Sequence, residues 1–474
     1  MKIWFFIGLF IVSTVLHGQH QELQEAPKIW NGENKEKADS LSLLTAFRNG
    51  KVNGHFRYFY SSTDNSGDLT DYFAHAAGGG LRYETAPFYG LQMAVSGYYI
   101  FDIGSSDFTI KDKATGQANR YEIGLYDINN PAEKNEISRL EELYLKYQYK
   151  NNFIRLGKQL INTPFINLQD GRMRPTQVQG VWIDAKPIKN LSLQGGWLNK
   201  ISPRSTSEWF SVASSVGVYP SGVNPDGTKS NYRNNIASKG VALLGIEYKW
   251  QKNINLRVWN LYTENISNSL LLQVDGNVSI KDQTKMIYGV QMIHQAKIND
   301  GGNSDQNKSY FNNEKNTLTY GARLGIKYKA IESTLNYNRI TAGGRYLMPR
   351  EWGRDPFFTF MPRERNEGMA DVHAIMLQTK YAKAKSPFSS SISVGYFQMP
   401  DVKNTGSNKY GVPTYSQMNI DLRYKLKGWL QGMEAQVLLV RKWEIGETYD
   451  SPNFVFNKVD MNLINVVINY NFSN

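Results

Sequence analysis

Hydrophobic and polar residues alternate strictly along residues 316–330, which read NTLTYGARLGIKYKA. Leu324 and Ile326 belong to the apolar set of alternate positions, whereas Arg323 and Lys327 belong to the polar set. Successive side chains of a β-strand point to opposite faces, so this alternation predicts a strand with one apolar face and one charged face. The apolar face would form a packed core in a soluble protein, and it would contact lipid in a membrane barrel.

The same alternation recurs in about 18 segments between residues 54 and 472. Every second connection between these segments is a short turn, often with a lysine. The other connections are longer, and the clearest of them cover residues 101–138, 204–238, 299–316, 343–371 and 400–414. Short turns at one rim and long loops at the other are typical of outer-membrane barrels. The pattern therefore predicts an all-β fold, a transmembrane antiparallel β-barrel of about 18 strands with short periplasmic turns and long extracellular loops.

The last segment favours the membrane barrel over a soluble β-sandwich. One of its faces is apolar and ends in a near-terminal phenylalanine, as in the C-terminal strands of outer-membrane barrels; it consists of Ile464, Val466, Ile468, Tyr470 and Phe472. Aromatic residues also gather beside the short turns, where a membrane-interface girdle is expected. The apolar faces are therefore expected to contact lipid and the polar faces to line a wet lumen. Closure of the barrel pairs every backbone amide, as hydrocarbon requires.

Composition agrees with this architecture. The 474 residues include 40 Gly, 29 Tyr and no Cys, which suits strands and turns and excludes disulfides and thiolate chemistry. Beyond the N-terminus no apolar run is long enough for a transmembrane helix. Residues 1–18 combine Lys2 with a short apolar run and predict a secretory signal peptide cleaved after Gly18. We therefore expect a polar N-terminal leader over 19–50 and the barrel, with infolded loops, over 51–472.

The formal net charge of +12 raises the question of a nucleic-acid partner. The basic residues are spread along the strands and form no compact run, and the export signal places the protein outside the cytoplasm. We therefore expect no nucleic-acid partner. The expected surroundings are lipid and lipopolysaccharide of the outer membrane of a Gram-negative bacterium, with the barrel-assembly machinery as a partner during insertion. The sequence leaves open whether the protein is a monomer or a trimer.

Basic residues recur on the polar faces of the predicted strands, between apolar neighbours. These positions predict a basic ladder along the lumen wall: Arg82, Lys146, Arg155, Arg257, Arg323, Lys327 and Arg423. Charges that line a narrow channel concentrate the opposite ion and bias selectivity. The alternative is mutual pairing within the wall, because acidic residues share the same faces: Glu84, Glu142, Glu247, Asp421 and Glu434.

Residues 156–182 carry a motif that points to a family. The segment contains Leu156-Gly157-Lys158-Gln159, Pro164, Asp170-Gly171-Arg172, Pro175 and Gly180. In this order of elements it resembles the OprD-type substrate-specific porins of Gram-negative outer membranes. The resemblance implies that this third long connection folds inward and narrows the pore, with Asp170, Arg172 and Arg174 on the infolded loop. The bare alternative is an ordinary long loop built from turn residues.

A second segment, residues 343–368, is rich in arginine. It contains Arg345, Arg350, Arg354, Arg363 and Arg365. A guanidinium offers a planar fork of donors that matches a carboxylate, so these residues are candidates for substrate contact. Four acidic residues in the same segment allow the alternative of a loop held by its own ion pairs: Glu351, Asp355, Glu364 and Glu367.

Catalytic chemistry is weakly represented. Asp371 and His373 lie two residues apart, but no nucleophile accompanies them, and six histidines show no metal-ligand spacing. We expect neither an enzyme nor a cofactor. The sequence predicts a porin that passes small hydrophilic solutes passively, and the resemblance suggests carboxylate-bearing solutes such as amino acids and organic acids. The alternatives are a general or anion-selective pore without substrate preference and an adhesive barrel that acts through its long loops.

Overall fold

The computed structural model describes residues 27, 29–30, 39–169, 171–312 and 316–473. Long antiparallel strands dominate this part of the chain. The strands are β1 (Lys51–Asn65), β2 (Tyr72–Glu84), β3 (Leu91–Asp102), β4 (Ile137–Tyr149), β5 (Asn152–Gln159), β6 (Gln177–Ile188), β7 (Leu191–Ser202), β8 (Phe210–Ser211), β9 (Val241–Trp250), β10 (Ile254–Thr263), β11 (Ser267–Lys281), β12 (Thr284–Lys297), β13 (Thr317–Tyr328), β14 (Ile331–Ile340), β15 (Val372–Ala382), β16 (Phe388–Gln398), β17 (Tyr415–Lys425), β18 (Met433–Glu444) and β19 (Met461–Ser473).

Helices in the described residues are short; the first precedes β1, and the others lie in the connections. They are α1 (Leu43–Arg48), α2 (Val212–Ser215), α3 (Pro452–Val455) and four 3-10 turns at Ile123–Leu125, Gln306–Lys308, Arg350–Trp352 and Gly428–Leu430. Within the described ranges, none of these helices has the length and apolar character needed to cross a membrane.

The sheet closes on itself. Each long strand pairs antiparallel with its neighbours in the chain, β7 pairs with β9, and β1 pairs with both β2 and β19. At the closure the aromatic ring of Phe472 lies over Gly54, and a Cβ at Gly54 would overlap that ring. The two-residue strand β8 only extends β7 at one rim. The predicted fold is confirmed, since the described chain forms a closed antiparallel barrel of 18 strands, decorated by β8.

The two faces of the strands have the polarity that the sequence predicts. On β13 the side chains of Tyr320, Leu324 and Ile326 are exposed on the outer surface, whereas Thr317 and Thr319 are buried toward the lumen. On β19 the apolar face is likewise the outer one. The exposed apolar surface of the barrel is its lipid-facing surface, because a closed barrel with a polar interior places its apolar side chains outward.

The connections separate into two rims. At one rim the strands are joined by turns as short as two residues, such as 150–151 and 329–330. At the other rim, long connections reach into the barrel, most extensively 160–176, 203–240 and 341–371. Their apolar side chains pack together inside the barrel and are almost fully buried: Phe165, Val212, Tyr232, Tyr346, Trp352 and Phe357. These infolded loops place polar and charged groups across the lumen.

The N-terminal part of the chain is described only in pieces. The predicted signal peptide, residues 1–18, lies outside the described residues. Within the stretch that we expected to be a polar leader, Leu43–Arg48 form α1, and Ser42 caps this helix by accepting a hydrogen bond from the Thr45 amide at 3.2 Å. Ile29 is buried inside the barrel. The described parts of this stretch therefore pack against the barrel.

Candidate functional site

Two infolded loops meet at the centre of the lumen, and one buried amide joins them. The Asn167 side chain donates to the Arg354 carbonyl at 3.0 Å and accepts from the Arg354 amide at 3.1 Å. Gly353 permits this approach, because a Cβ there would lie 2.6 Å from the Asn167 Oδ1 atom. The loop between β5 and β6 and the loop between β14 and β15 therefore form one layer.

A third loop, between β7 and β9, is locked onto this layer. The Thr176 hydroxyl donates to the Glu351 carbonyl at 2.6 Å and accepts from the Arg204 amide at 3.0 Å. The Arg204 guanidinium donates to the Arg350 carbonyl at 2.9 Å. Since buried polar atoms are costly to leave unpaired, these bonds fix the three loops relative to one another.

The layer separates two cavities, which are defined by their lining residues. The upper cavity, on the long-loop side, has a volume of about 860 Å³ and includes Tyr121, Tyr219 and Phe360. Seven arginines and two carboxylates line it: Arg120, Arg172, Arg204, Arg350, Arg354, Arg363, Arg365, Asp355 and Glu364. The middle cavity has a volume of about 740 Å³ and contains Arg57, Arg172, Arg363, Asp421 and Arg423. Arg172, Phe360 and Arg363 line both cavities, so they mark the constriction between them.

A third space, the periplasmic cavity, opens among the short turns. Five basic and two acidic side chains line it: Lys285, Arg323, Lys327, Lys329, Lys380, Asp275 and Glu332. Arg257 lines a side cavity together with Glu247 and Arg354. Basic side chains outnumber acidic ones among the residues that line the upper cavity and among those that line the periplasmic cavity.

Aromatic rings hold several of these guanidinium groups. Arg354 lies over Phe360 at 4.3 Å, Arg350 over Tyr410 at 4.8 Å and Arg323 over Phe358 at 4.6 Å from the ring centroids. A ring face attracts a cation without carrying a formal charge of its own. Stacking of this kind therefore orients the guanidinium planes and leaves the net charge of the lining unchanged.

Nine predicted residues line the cavities, and at least four of them are engaged with carboxylates. Arg423 donates to Asp421 at 2.9 and 2.8 Å, and Arg257 donates to Asp275 at 3.0 Å. Lys327 lies 3.4 Å from Glu332, and Arg350 lies 3.1 Å from Glu367. The cavity-lining predicted residues are Arg172, Arg257, Arg323, Lys327, Arg350, Arg354, Arg363, Arg365 and Arg423. Arg257, Lys327 and Arg423 therefore line cavities and are also paired with carboxylates.

Three predicted residues are buried in the wall or loops, away from the three lumen cavities. Arg82 lies between Glu84 at 2.9 Å and Glu142 at 3.2 Å. Arg174 makes a bidentate contact with Glu141. Arg345 is 1 % exposed and donates to the Val223 carbonyl at 2.9 Å and to Asn312 at 3.4 Å. Their geometry is that of structural ion pairs and loop anchors.

The remaining predicted residues have other surroundings. Lys146 and Arg155 both lie over the ring of Phe153, at 5.5 and 4.4 Å from its centroid. Asp170 lies outside the described residues. His373 points to the outer surface, where its Nδ1 atom lies 2.8 Å from the Tyr337 hydroxyl, away from any cavity described above.

Burial raises the pKa of both carboxyl groups that line the upper cavity. Asp355 and Glu364 lie in the loop between β14 and β15. Desolvation is the largest cause in each case, and repulsion by neighbouring carboxylates adds to it, since Glu367 faces Asp355 and Asp355 faces Glu364. These two groups therefore take up protons at a higher pH than ordinary carboxyls do, and the cavity becomes more positive when they do.

Sequence reasoning missed three of the lining arginines. Arg57 lies on β1 between the outward-facing Phe56 and Tyr58, so the alternation applied to the other strands would have found it. Arg120 and Arg204 lie on long loops. A loop has no side-chain period, and no signal in the sequence reveals which of its residues reach the lumen.

Comparison with known proteins identifies the family. The family model described as outer membrane porin, OprD family, matches residues 112–358, which is more than half of the chain. No curated protein matches the chain. Proteins of this family are channels of the Gram-negative outer membrane and are not enzymes.

Solved structures share the fold. OccK9 (OpdG) of Pseudomonas aeruginosa is similar with a TM-score of 0.71 and 14% identity over 90% of this chain and 100% of its own. OccAB3 of Acinetobacter baumannii has a TM-score of 0.70 and 15% identity, with 90% and 100% covered. OpdK of Pseudomonas aeruginosa, solved with vanillate, has a TM-score of 0.68 and 13% identity, with 90% and 99% covered. The barrel, the infolded loops and the family match agree, and the chain belongs to the OprD family of outer-membrane porins.

Proposed function

We propose that this porin favours small carboxylate-bearing solutes, such as amino acids and organic acids, during passive diffusion across the outer membrane. The observation that carries the proposal is the lining of the upper cavity, where seven arginines face two carboxylates. Solutes that enter from the long-loop side encounter this cavity before the constriction. A positively charged lining of low dielectric raises the local concentration of anions and lowers that of cations.

The chemistry of arginine supports carboxylates over other anions of the same charge. The guanidinium group keeps its charge at all physiological pH values, and its planar fork forms two parallel hydrogen bonds with one carboxylate. Arg363 is aimed by a hydrogen bond of 2.8 Å to Asn465 and lies over Tyr121 at 5.6 Å from its centroid. Orientation of this kind lowers the entropy that a guanidinium loses when it binds a passing solute.

The continuation of positive charge beyond the constriction also supports the proposal. Arg172 and Arg363 line the cavities on both sides of it, so an anion that leaves the upper cavity stays close to a cation. The periplasmic cavity adds five basic side chains against two acidic ones. Conduction requires several weak sites in succession, since one tight site would hold the solute. Vanillate, the compound in the OpdK structure, is itself a carboxylate.

The second candidate is an anion-selective pore without preference among solutes. The wall pairs favour it, because the carboxylates beside Arg257 and Arg423 cancel part of the charge that a solute would meet. Both candidates predict anion selectivity. Only the first predicts that a carboxylate passes faster than a neutral sugar of similar size.

The decisive experiment is liposome swelling with amino acids, organic acids and neutral sugars, combined with reversal potentials in planar bilayers under a salt gradient. We expect the double variant Arg172→Gln/Arg363→Gln to slow carboxylates more than sugars and to shift the reversal potential toward cations. Two unit charges about 6 Å apart interact by roughly 3 kcal/mol at an effective dielectric near 20. Screening and pairing reduce this to about 1 kcal/mol, or about fivefold in carboxylate uptake, for each arginine.

The matched control is Arg339→Gln. Arg339 lies on the outer face of β14, where it pairs with Asp371, so the substitution makes the same chemical change outside the lumen. We expect unchanged selectivity in this control. Equal loss of carboxylate and sugar uptake in the double variant would contradict the substrate preference, and an unchanged reversal potential would contradict both candidates.

A further inference from the structure

Residues from before the first strand lie inside the barrel. Pro27 and Ile29 line the middle cavity, on the periplasmic side of the constriction, and both are buried. The cavity wall opposite them includes Phe59 of β1 and Leu438 of β18. These two N-terminal residues therefore occupy space that the barrel alone would leave to the channel.

Trp30 is bonded to the wall beside them. Its indole Nε1 atom donates to Glu142 at 2.7 Å. The Arg174 guanidinium lies over the Trp30 ring at 4.7 Å and over the Tyr98 ring at 4.4 Å, and so packs against two aromatic rings. His55 meets the Trp30 ring edge-on, with the centroids 6.4 Å apart.

The wall offers two carboxylates at this point because of a β-bulge. The pairing of β3 with β4 shifts register between Ser96 and Gly97, which leaves Glu141 as the extra residue. Both Glu141 and Glu142 are thereby buried toward the lumen. Arg174 engages Glu141, whereas Arg82 and Trp30 engage Glu142. Trp30 therefore helps to pair the two carboxylates that the bulge turns inward, and its ring packs against Arg174.

Asp39 and Ser40, which follow Trp30 in the sequence, lie at the short-turn rim. The Gly90 amide donates to the Asp39 carboxylate at 3.2 Å, and the Ser40 amide donates to the Pro87 carbonyl at 2.8 Å. Gly90 and Pro87 belong to the turn between β2 and β3.

We propose that Pro27, Ile29 and Trp30 form an inner part of the channel wall on the periplasmic side, with Trp30 as the positioning residue that sets the width of the path and the place of Arg174. These residues narrow the route below the constriction and contribute to the sorting of solutes by size. This inference rests on the porin function and is independent of the preference for carboxylates.

The absence of cysteine from the chain allows a direct test. Ile29→Cys and the control Leu41→Cys are each reconstituted in planar bilayers and treated from the periplasmic side with a bulky methanethiosulfonate reagent. Leu41 is 96% exposed and precedes Ser42, the residue that caps α1, outside the cavities described above. We expect a loss of at least a third of the single-channel current for labelled Ile29→Cys and no change for labelled Leu41→Cys, with labelling measured by mass spectrometry.

Deletion of residues 19–30 behind an intact signal peptide is the second test, and it does not depend on access of the reagent. We expect about a twofold rise in conductance and faster passage of larger sugars. Trp30→Ala is expected to reproduce part of the rise, and Trp30→Phe, which keeps a ring for Arg174, is expected to restore most of the normal conductance. The proposal is wrong if the deletion leaves conductance and the size cut-off unchanged, or if labelled Ile29→Cys carries full current.

Discussion

Substitutions at two neighbouring residues of β13 test which face of the strand contacts lipid and which faces the lumen. The channel interpretation depends on that assignment. Leu324 is 58% exposed on the outer surface, and its cross-strand neighbours Tyr288 and Leu335 are also apolar. Arg323 points inward, where it donates to Asn336 at 2.7 Å. The variants Leu324→Arg and Arg323→Leu alter adjacent positions of one strand in opposite senses.

The structure sets the size of each effect. Leu324 lies four residues from Tyr328, the end of the strand, which places it roughly 10 Å along the bilayer normal from the short-turn rim in a strand tilted by about 40°. An arginine near the midplane of a barrel costs about 2–4 kcal/mol, so Leu324→Arg is expected to lose that much stability. Arg323→Leu loses a hydrogen bond and a stacking contact in a wet lumen, and is therefore expected to lose about 1–2 kcal/mol of stability.

The assay is urea unfolding of each variant in phospholipid vesicles, followed by tryptophan fluorescence and linear extrapolation to water. We expect Leu324→Arg to lose more stability than Arg323→Leu, and only Arg323→Leu to change ion selectivity. The assignment of Leu324 to lipid and of Arg323 to the lumen would be refuted by a larger loss of stability for Arg323→Leu. An altered ion selectivity for Leu324→Arg with unchanged stability would refute it equally. Gly325 is unsuitable as the lumen-facing control, because a Cβ there would lie 2.5 Å from the Ser333 carbonyl oxygen.

Three further outcomes are expected. Trypsin added to intact cells should cut within 204–238 and spare 186–190, as mass spectrometry of the fragments would show. Cleavage within 186–190 alone would mean that the barrel has the reverse orientation. Asp421→Asn removes a carboxylate from the middle cavity and should raise the anion-to-cation permeability ratio, which reversal potentials measure; an unchanged ratio would mean that this pair is remote from the ion path. Because the pKa values of Asp355 and Glu364 are raised, anion selectivity should increase on acidification at a higher pH than ordinary carboxyls would produce. The variant Asp355→Asn/Glu364→Gln should abolish that increase, and its persistence would place the titrating groups elsewhere.

The sequence by itself determined the barrel and the facing of its strands. The alternation of side chains along a strand is a local property with a period of two residues, so Arg323 and Leu324 could be assigned to opposite faces without any knowledge of their neighbours. Turn length is equally local, and the separation of short turns from long loops predicted the two rims. The same rule would have found Arg57, whose strand neighbours face outward.

Only the tertiary structure decided what fills the lumen. Arg172 and Arg174 are two residues apart in one loop, yet the first lines both central cavities and the second is buried against Glu141. A bulge, for which strict alternation makes no allowance, turned Glu141 inward beside Glu142. The contact between Trp30 and Glu142 joins positions 112 residues apart, and the arginines of the upper cavity come from several loops. Loops have no side-chain period, so their partners depend on the closed barrel that brings them together.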